Sequence, residues 1–195
     1  MQLDAPPRAP LSLAARRVHE AEGAGRRAFA LFQATRHPGP LIWVLPAHVV
    51  SLPMLRGLPD GVGERLHIVY AALDCDLLWS VEEALRSPAA GMVIAEVEQP
   101  LSLKAGRRLQ LAAEAGQTTG LLLIQHDQGS NAAETRWNCI PVASDSADST
   151  EHAWSTIKNK KGTLASWVVN WNGTSDSFDL VTTVGVRDGA PQAAR

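Results

Sequence analysis

Few of the residue types that usually announce chemistry occur in this chain. It has two cysteines, Cys75 and Cys139, far apart and without Cys or His neighbours at ligand spacing, so neither a disulfide scaffold nor a zinc site is supported. Both are expected as reduced, buried small side chains of a cytoplasmic protein. No charge of one sign dominates: the net charge is -2, which argues against a dedicated nucleic-acid coat, because counterion release needs a surplus of Lys and Arg over a contact face. No apolar run approaches the roughly 20 residues that a bilayer requires, and the amino terminus lacks a signal-peptide apolar segment. No Lys followed by Ser or Thr stands where a phosphate loop would need it. The six histidines (His19, His37, His48, His67, His126, His152) show no metal-binding i, i+4 pairing with carboxylates, and no serine sits in a nucleophile elbow. No catalytic residue, metal ligand or cofactor is expected.

What is present is apolar sequence enough for one sizeable core: 45% of 195 residues. The stretch from Gly91 to Pro141 organises it. Gly91–Glu96 and Thr119–Gln125 are almost continuously apolar, as strands covered on both faces must be, and the amphipathic segment Ser102–Ala115 between them is long enough for a parallel crossover. Thr135–Val142 reads as a third strand. Glu96 and Gln125 close the first two strands at the carboxyl edge, where open α/β sheets present ligand-contacting groups.

Ahead of this unit, Leu13–Arg36 reads as helical with a break at Gly23 and Gly25. Leu41–Leu45 and Leu66–Tyr70 read as buried strands, with a short helix near Val50–Leu55 and a turn at Pro59-Asp60-Gly61 between them. A helix capped by Asp74 or Asp76 runs through Arg86. Beyond a polar loop from Ala143 to Thr150, three β-like runs follow: Ala153–Lys158, Ala165–Trp171 and Phe178–Val184. Asn172-Gly173 is the strongest hairpin signal in the chain. The expectation is an α/β fold with a mainly parallel central sheet flanked by helices and an antiparallel carboxyl-terminal extension. Residues 1–12 are expected as a flexible lead-in, 13–185 as a single domain, and 186–195 as a disordered tail.

Several groups invite a functional reading. In Glu22-Gly23-Ala24-Gly25-Arg26-Arg27 the glycines could let the backbone approach an anion, but the Lys for terminal phosphates and the hydroxyl for magnesium are missing, so a degenerate, non-hydrolysing loop is expected. Glu96 stands where such folds carry a magnesium-associated carboxylate; with the phosphate loop degenerate, a solvated or loop-capping acid is expected. Lys104, Arg107 and Arg108 place positive charge on the outward face of a helix whose Leu109 and Ala112 face the sheet, either as a partner contact or as a solvated face. Lys158, Lys160 and Lys161, near Trp154, could address a phosphate backbone or simply line a solvated turn. His126-Asp127, beside Gln125 at the sheet edge, is the histidine placement of most interest. Trp137, Trp154, Trp167 and Trp171 read mainly as core, although an exposed tryptophan would be a natural protein anchor.

Three strings, Leu78-Trp79-Ser80-Val81-Glu82-Glu83-Ala84-Leu85-Arg86, Arg107-Arg108-Leu109-Gln110-Leu111-Ala112-Ala113-Glu114-Ala115 and Ala132-Ala133-Glu134-Thr135-Arg136-Trp137, resemble in order and spacing the ImuA family of RecA-like SOS mutagenesis proteins. The resemblance spans roughly Val18 to Trp171. It implies a RecA-like core that has lost ATP hydrolysis, working in mutagenic translesion synthesis with ImuB (a polymerase-like hub), RecA and an error-prone replicative-type DNA polymerase. It also implies that Glu22–Arg27 replaces the phosphate loop, that Gln125 matches a glutamine preceding a DNA-binding loop shortened here to His126–Glu134, and that Lys158-Asn159-Lys160 resembles a string facing a neighbouring subunit. DNA contact would then be indirect or weak. The chain departs from the family in a shorter amino-terminal segment and in more Ser, Asn and Lys after Asp145. Two rival readings are a SulA-like cell-division inhibitor that binds FtsZ, and an NTPase using Arg26 in an atypical loop.

Overall fold

The computed structural model describes residues 11–52, 58–144, 149–173, 175 and 177–187. The strands are β1 (Val18–Glu22), β2 (Leu41–Pro46), β3 (Leu66–Ala71), β4 (Met92–Glu96), β5 (Thr119–Leu123), β6 (Thr135–Val142), β7 (Ser149–Asn159), β8 (Leu164–Asn172) and β9 (Ser177–Arg187). The helices are α1 (Arg26–Arg36), α2 (Asp74–Arg86) and α3 (Leu103–Gly116). The strands form one nine-stranded sheet in the order β3-β2-β4-β5-β1-β6-β7-β8-β9. Neighbours from β3 to β6 pair in parallel, and those from β6 to β9 pair antiparallel. The fold is therefore α/β, with the mainly parallel sheet and antiparallel extension that the residue pattern indicates.

Alternation along the central strands builds two cores. Met92, Ile94, Leu121, Leu123, Leu41, Trp43 and Leu45 pack on the face that carries Phe29, Ala30 and Phe32 of α1. Val93, Ala95, Leu122 and Val44 pack on the other face, against Leu77, Val81 and Leu85 of α2 and Leu109, Ala112 and Ala113 of α3. Strands β2, β4 and β5 read as near-continuous apolar runs because both of their faces are covered. Aromatic rings extend the α1 side onto the antiparallel ribbon. Phe29 lies 4.9 Å from Trp137 and 5.1 Å from Trp154, and Phe32 lies 5.5 Å from Phe178, so of the four tryptophans read mainly as core Trp137 and Trp154 are core, while Trp167 and Trp171 are half-buried.

The helical reading of Leu13–Arg36 needs correction. Its first half contains β1, which lies between β5 and β6 in the sheet interior. Val18-His19-Glu20-Ala21-Glu22 is fully buried, with His19 and Glu20 bonded to distant segments, and such a strand lacks the apolar run by which buried strands are recognised. His19, for example, bonds Thr135 Oγ1 at 2.6 Å and the Ala14 carbonyl at 2.9 Å. Three smaller points also differ. Cys75 is exposed rather than buried. Helix α2 begins after Leu73 with no side-chain cap from either aspartate. At the amino end, Leu11 is in the core and its carbonyl accepts from Gln33 Nε2 at 2.8 Å, so packing begins inside the expected lead-in. Residues 1–10 and 188–195 lie outside the described residues, as do residues 53–55 of the short helix expected near Val50–Leu55, whose residues 50–52 are not helical.

Candidate functional site

The parallel strands point their carboxyl ends at one edge, which gathers the turn after β1, the end of β4 and the loop after β5. The turn after β1 shows why Gly23 and Gly25 are glycines. Gly23 has φ +90°, and a Cβ there would lie 2.4 Å from the Cys139 carbonyl oxygen. Gly25 donates its N–H to that same oxygen at 2.8 Å, and the Arg26 amide donates to the Gly23 carbonyl at 3.3 Å. The two glycines thus admit the backbone of β6. Two amides at the start of α1, which in a phosphate-binding loop would face an anion, are bonded within the chain itself. Arg26 turns back as well, donating from Nη1 to the Gly23 carbonyl at 3.1 Å.

Arg27 takes the next position along α1. Its Nε donates to Glu96 Oε1 at 2.9 Å and its Nη2 to Glu96 Oε2 at 2.8 Å, a bidentate pair across the sheet edge. Trp43 Nε1 adds a donor to Oε1 at 3.2 Å, and Arg27 Nη1 reaches the Ser51 carbonyl at 2.9 Å. Glu96, expected as a solvated or loop-capping acid, is 8% exposed and accepts from Arg27 and Trp43. A carboxylate on which a divalent ion could have settled holds a guanidinium instead. Two arginines in the first turn of a helix oppose its dipole, and the carboxylate of Glu96 offsets that for Arg27.

The loop from His126 to Glu134 is held down from several sides. Buried Glu20 accepts from the Ser130 amide at 2.8 Å and from Arg136 Nε at 2.9 Å. Lys158 Nζ donates to the carbonyls of Ser130 and Asn131, both at 3.0 Å, and Lys160 Nζ to that of Ala132 at 2.7 Å. Lys161 approaches Glu134 at 3.8 Å. Burial, then the neighbouring Lys160 charge, lowers the Lys158 ammonium from its ordinary range. A Cβ on Gly129 would collide with the Arg136 guanidinium, so that glycine lets the arginine lie across the loop. The lysine cluster read from the sequence therefore fastens the loop. Gln125 stands at the loop's entrance, exposed.

On α3, Lys104, Arg107 and Arg108 all lie outward as read, but they differ. Arg108 forms a short ion pair with Glu82 of α2, which also holds Arg86 at 2.5 Å, so its charge ties two helices together. Arg107 instead borders a mixed-charge cleft with Arg17, Gln110, Glu114, Glu134 and Lys160. Beside Arg108, Trp79 is 63% exposed on α2, the exposed tryptophan absent from the ribbon. The sequence reading did not single out Glu20, Arg27, Glu82 or Arg136. The one available signal was an acid in each of two segments facing an unassigned arginine, and that becomes specific only once the strand order is known.

No family model matches the chain. Over 120 residues it is 32% identical to Protein ImuA of Caulobacter vibrioides, from strain NA1000 / CB15N and from strain ATCC 19089 / CIP 103742 / CB 15, with the aligned part covering 56% of this chain and 48% of the relative. The chain spans about half the length of the curated relatives it matches. This similarity supports an ImuA-like relationship. Among the described residues, no helix is long and apolar enough to cross a membrane.

Proposed function

We propose that this chain is a non-catalytic accessory protein of SOS-induced mutagenic translesion DNA synthesis. It acts through protein contacts with ImuB, RecA or both, alongside the error-prone replicative-type polymerase. The similarity to Protein ImuA supports the pathway, and the parallel sheet with a glycine turn after β1 supports a RecA-like ancestry of the core. The observation that carries the non-catalytic reading is the Arg27–Glu96 pair. It puts a fixed positive charge of the chain itself against the strand-end carboxylate, while Cys139 takes up a turn amide. With Glu96 and the Gly25 amide taken up by the chain itself, recognition is the use of the scaffold that this reading favours.

The contact face we favour is the outer surface of α2 and α3. Trp79 offers a large, half-apolar anchor there, and Arg107 supplies a charge that no ion pair of the described residues engages. The lysines at 158, 160 and 161 fit a secondary role, since two of them are already bonded to the loop. The reading is tested by co-purifying the full chain with ImuB, RecA and FtsZ in parallel. Capture by ImuB or RecA that is lost in Trp79→Ala and weakened in Arg107→Glu is expected. Capture by FtsZ alone would move the chain to the cell-division reading, and phosphate release from ATP would overturn the non-catalytic one.

A further inference from the structure

The edge contains a second carboxylate that the Arg27–Glu96 pair does not use. Glu22 ends β1 and is 2% exposed. Among the described residues its Oε2 is buried without a hydrogen-bond partner, and its Oε1 meets the imidazole Nδ1 of His126 alone, at 2.8 Å. A buried carboxylate held by a single imidazole is costly, because desolvation penalises the charge and one oxygen goes unsatisfied. The parallel register brings the histidine there. Ala21 pairs with Leu123, and Ile124 donates its amide to the Ala21 carbonyl at 2.9 Å, so the chain leaving β5 passes directly beside Glu22. Asp127 then turns left-handed, at φ +58°, which places its Oδ2 3.3 Å from His126 Nε2. One donor atom from each of Glu22, His126 and Asp127 lies within 4.8 Å of the others.

We propose that Glu22, His126 and Asp127 bind a divalent transition-metal ion, zinc being the best fit. A tetrahedral ion with bonds of about 2.0–2.2 Å holds its donors about 3.3–3.6 Å apart, so one ring nitrogen of His126 and an oxygen of each acid must draw together around it. The side chains of His126 and Asp127, 75% and 87% exposed, have open space in which to make that movement. The ion would offset the buried charge of Glu22 and occupy its free oxygen. Imidazole in the set favours zinc-like ions over magnesium. Three protein ligands leave at least one coordination position to solvent or to a group brought by a partner. Sequence spacing gives no sign of the set, because its ligands come from two segments joined only by strand pairing.

The test uses the full untagged chain stripped with chelator, then titrated with zinc chloride against a chromophoric competitor and followed in thermal melts. We expect one zinc per chain and a zinc-dependent rise in Tm. His126→Gln and Asp127→Asn should each weaken zinc binding by at least about 10-fold and shrink the zinc-dependent rise in Tm. Binding should also weaken with falling pH, since the imidazole must be neutral to ligate. Zinc affinity equal in the wild type and the double variant overturns the site, as does loss of binding in Cys75→Ser with His126→Gln unaffected. A magnesium shift as large as that of zinc overturns the transition-metal assignment.

Discussion

Arg27 and Glu96, 69 residues apart in the chain, meet in a two-pronged ion pair at 2.9 and 2.8 Å that joins the start of α1 to the end of β4. The pair sits at the carboxyl edge of a parallel sheet, where folds of this kind usually receive a ligand. Here the chain supplies both charges itself, and the consequences can be measured.

The first concerns stability. The side chains of Arg27 and Glu96 are 32% and 11% exposed, so Arg27→Met strands a largely buried carboxylate. A loss of about 2–3 kcal/mol is expected, toward the low end of what breaking a buried pair costs. The double variant Arg27→Met, Glu96→Leu should recover most of it, because removing both charges removes the desolvation problem. Urea denaturation of the four-member cycle measures this. A double variant as unstable as the single one would show that the pair is not what holds the edge.

Nucleotide supplies the second. ATP with magnesium should leave the melting temperature of the wild type unchanged. Nor should ATP with magnesium raise the melting temperature of the variant Arg26→Lys, Arg27→Thr, which carries the side chains of a phosphate loop, above that variant's own nucleotide-free value. The reason lies in the backbone: the Gly25 amide is already given to the Cys139 carbonyl at 2.8 Å, and side chains do not return it. A nucleotide-dependent rise in either protein would show that the turn can open.

Two glycines two residues apart should behave differently. Gly23→Ala combines φ +90° with a Cβ 2.4 Å from a backbone oxygen, so a loss of at least about 2 kcal/mol is expected. Gly25→Ala meets the same oxygen at 3.1 Å and should cost about half as much or less. Denaturant midpoints rank the two, and equal losses would contradict the close approach of β6.

Acid should weaken the fold through two histidines. Burial lowers the imidazole of His37, with Arg36 adding to it and the bond to the Gln33 carbonyl opposing it; burial likewise lowers that of His152. Each is neutral when folded over a range where the unfolded chain already takes up a proton. Their stabilising contribution is therefore present above about pH 6.5 and is lost as pH falls from there through the lowered folded values. Melts between about pH 7.5 and 5.5 should show this decline. His152→Gln should flatten it, and an unchanged slope would exclude that imidazole as a source.

Much of this architecture was legible from residue pattern. Strands β2 to β6 and helices α2 and α3 announce themselves by apolar runs and helical stripes, and the Asn172-Gly173 turn marks the hairpin between β8 and β9. Strand β1 was not legible, because Val18-His19-Glu20-Ala21-Glu22 has the composition of a surface helix and is buried only through partners far away in the chain. The reading of Glu96 as a solvated or loop-capping acid missed its partner for the same reason, since its arginine lies on another element. The lysines at 158 and 160 were recognised as a group, but the carbonyls that they hold could not be seen.

By itself, the sequence determined the alternation of helix and strand, the two-faced core, and the absence of a Lys-Ser/Thr pair after Gly25. These depend on periodicity and on residue type, which are local properties. Only the tertiary structure decided that Arg27 closes on Glu96, that β6 takes up the glycine turn, and that Glu22 ends beside His126. Each of these is a match of charge or hydrogen-bonding capacity between segments brought together by strand order, and strand order is a global outcome of packing.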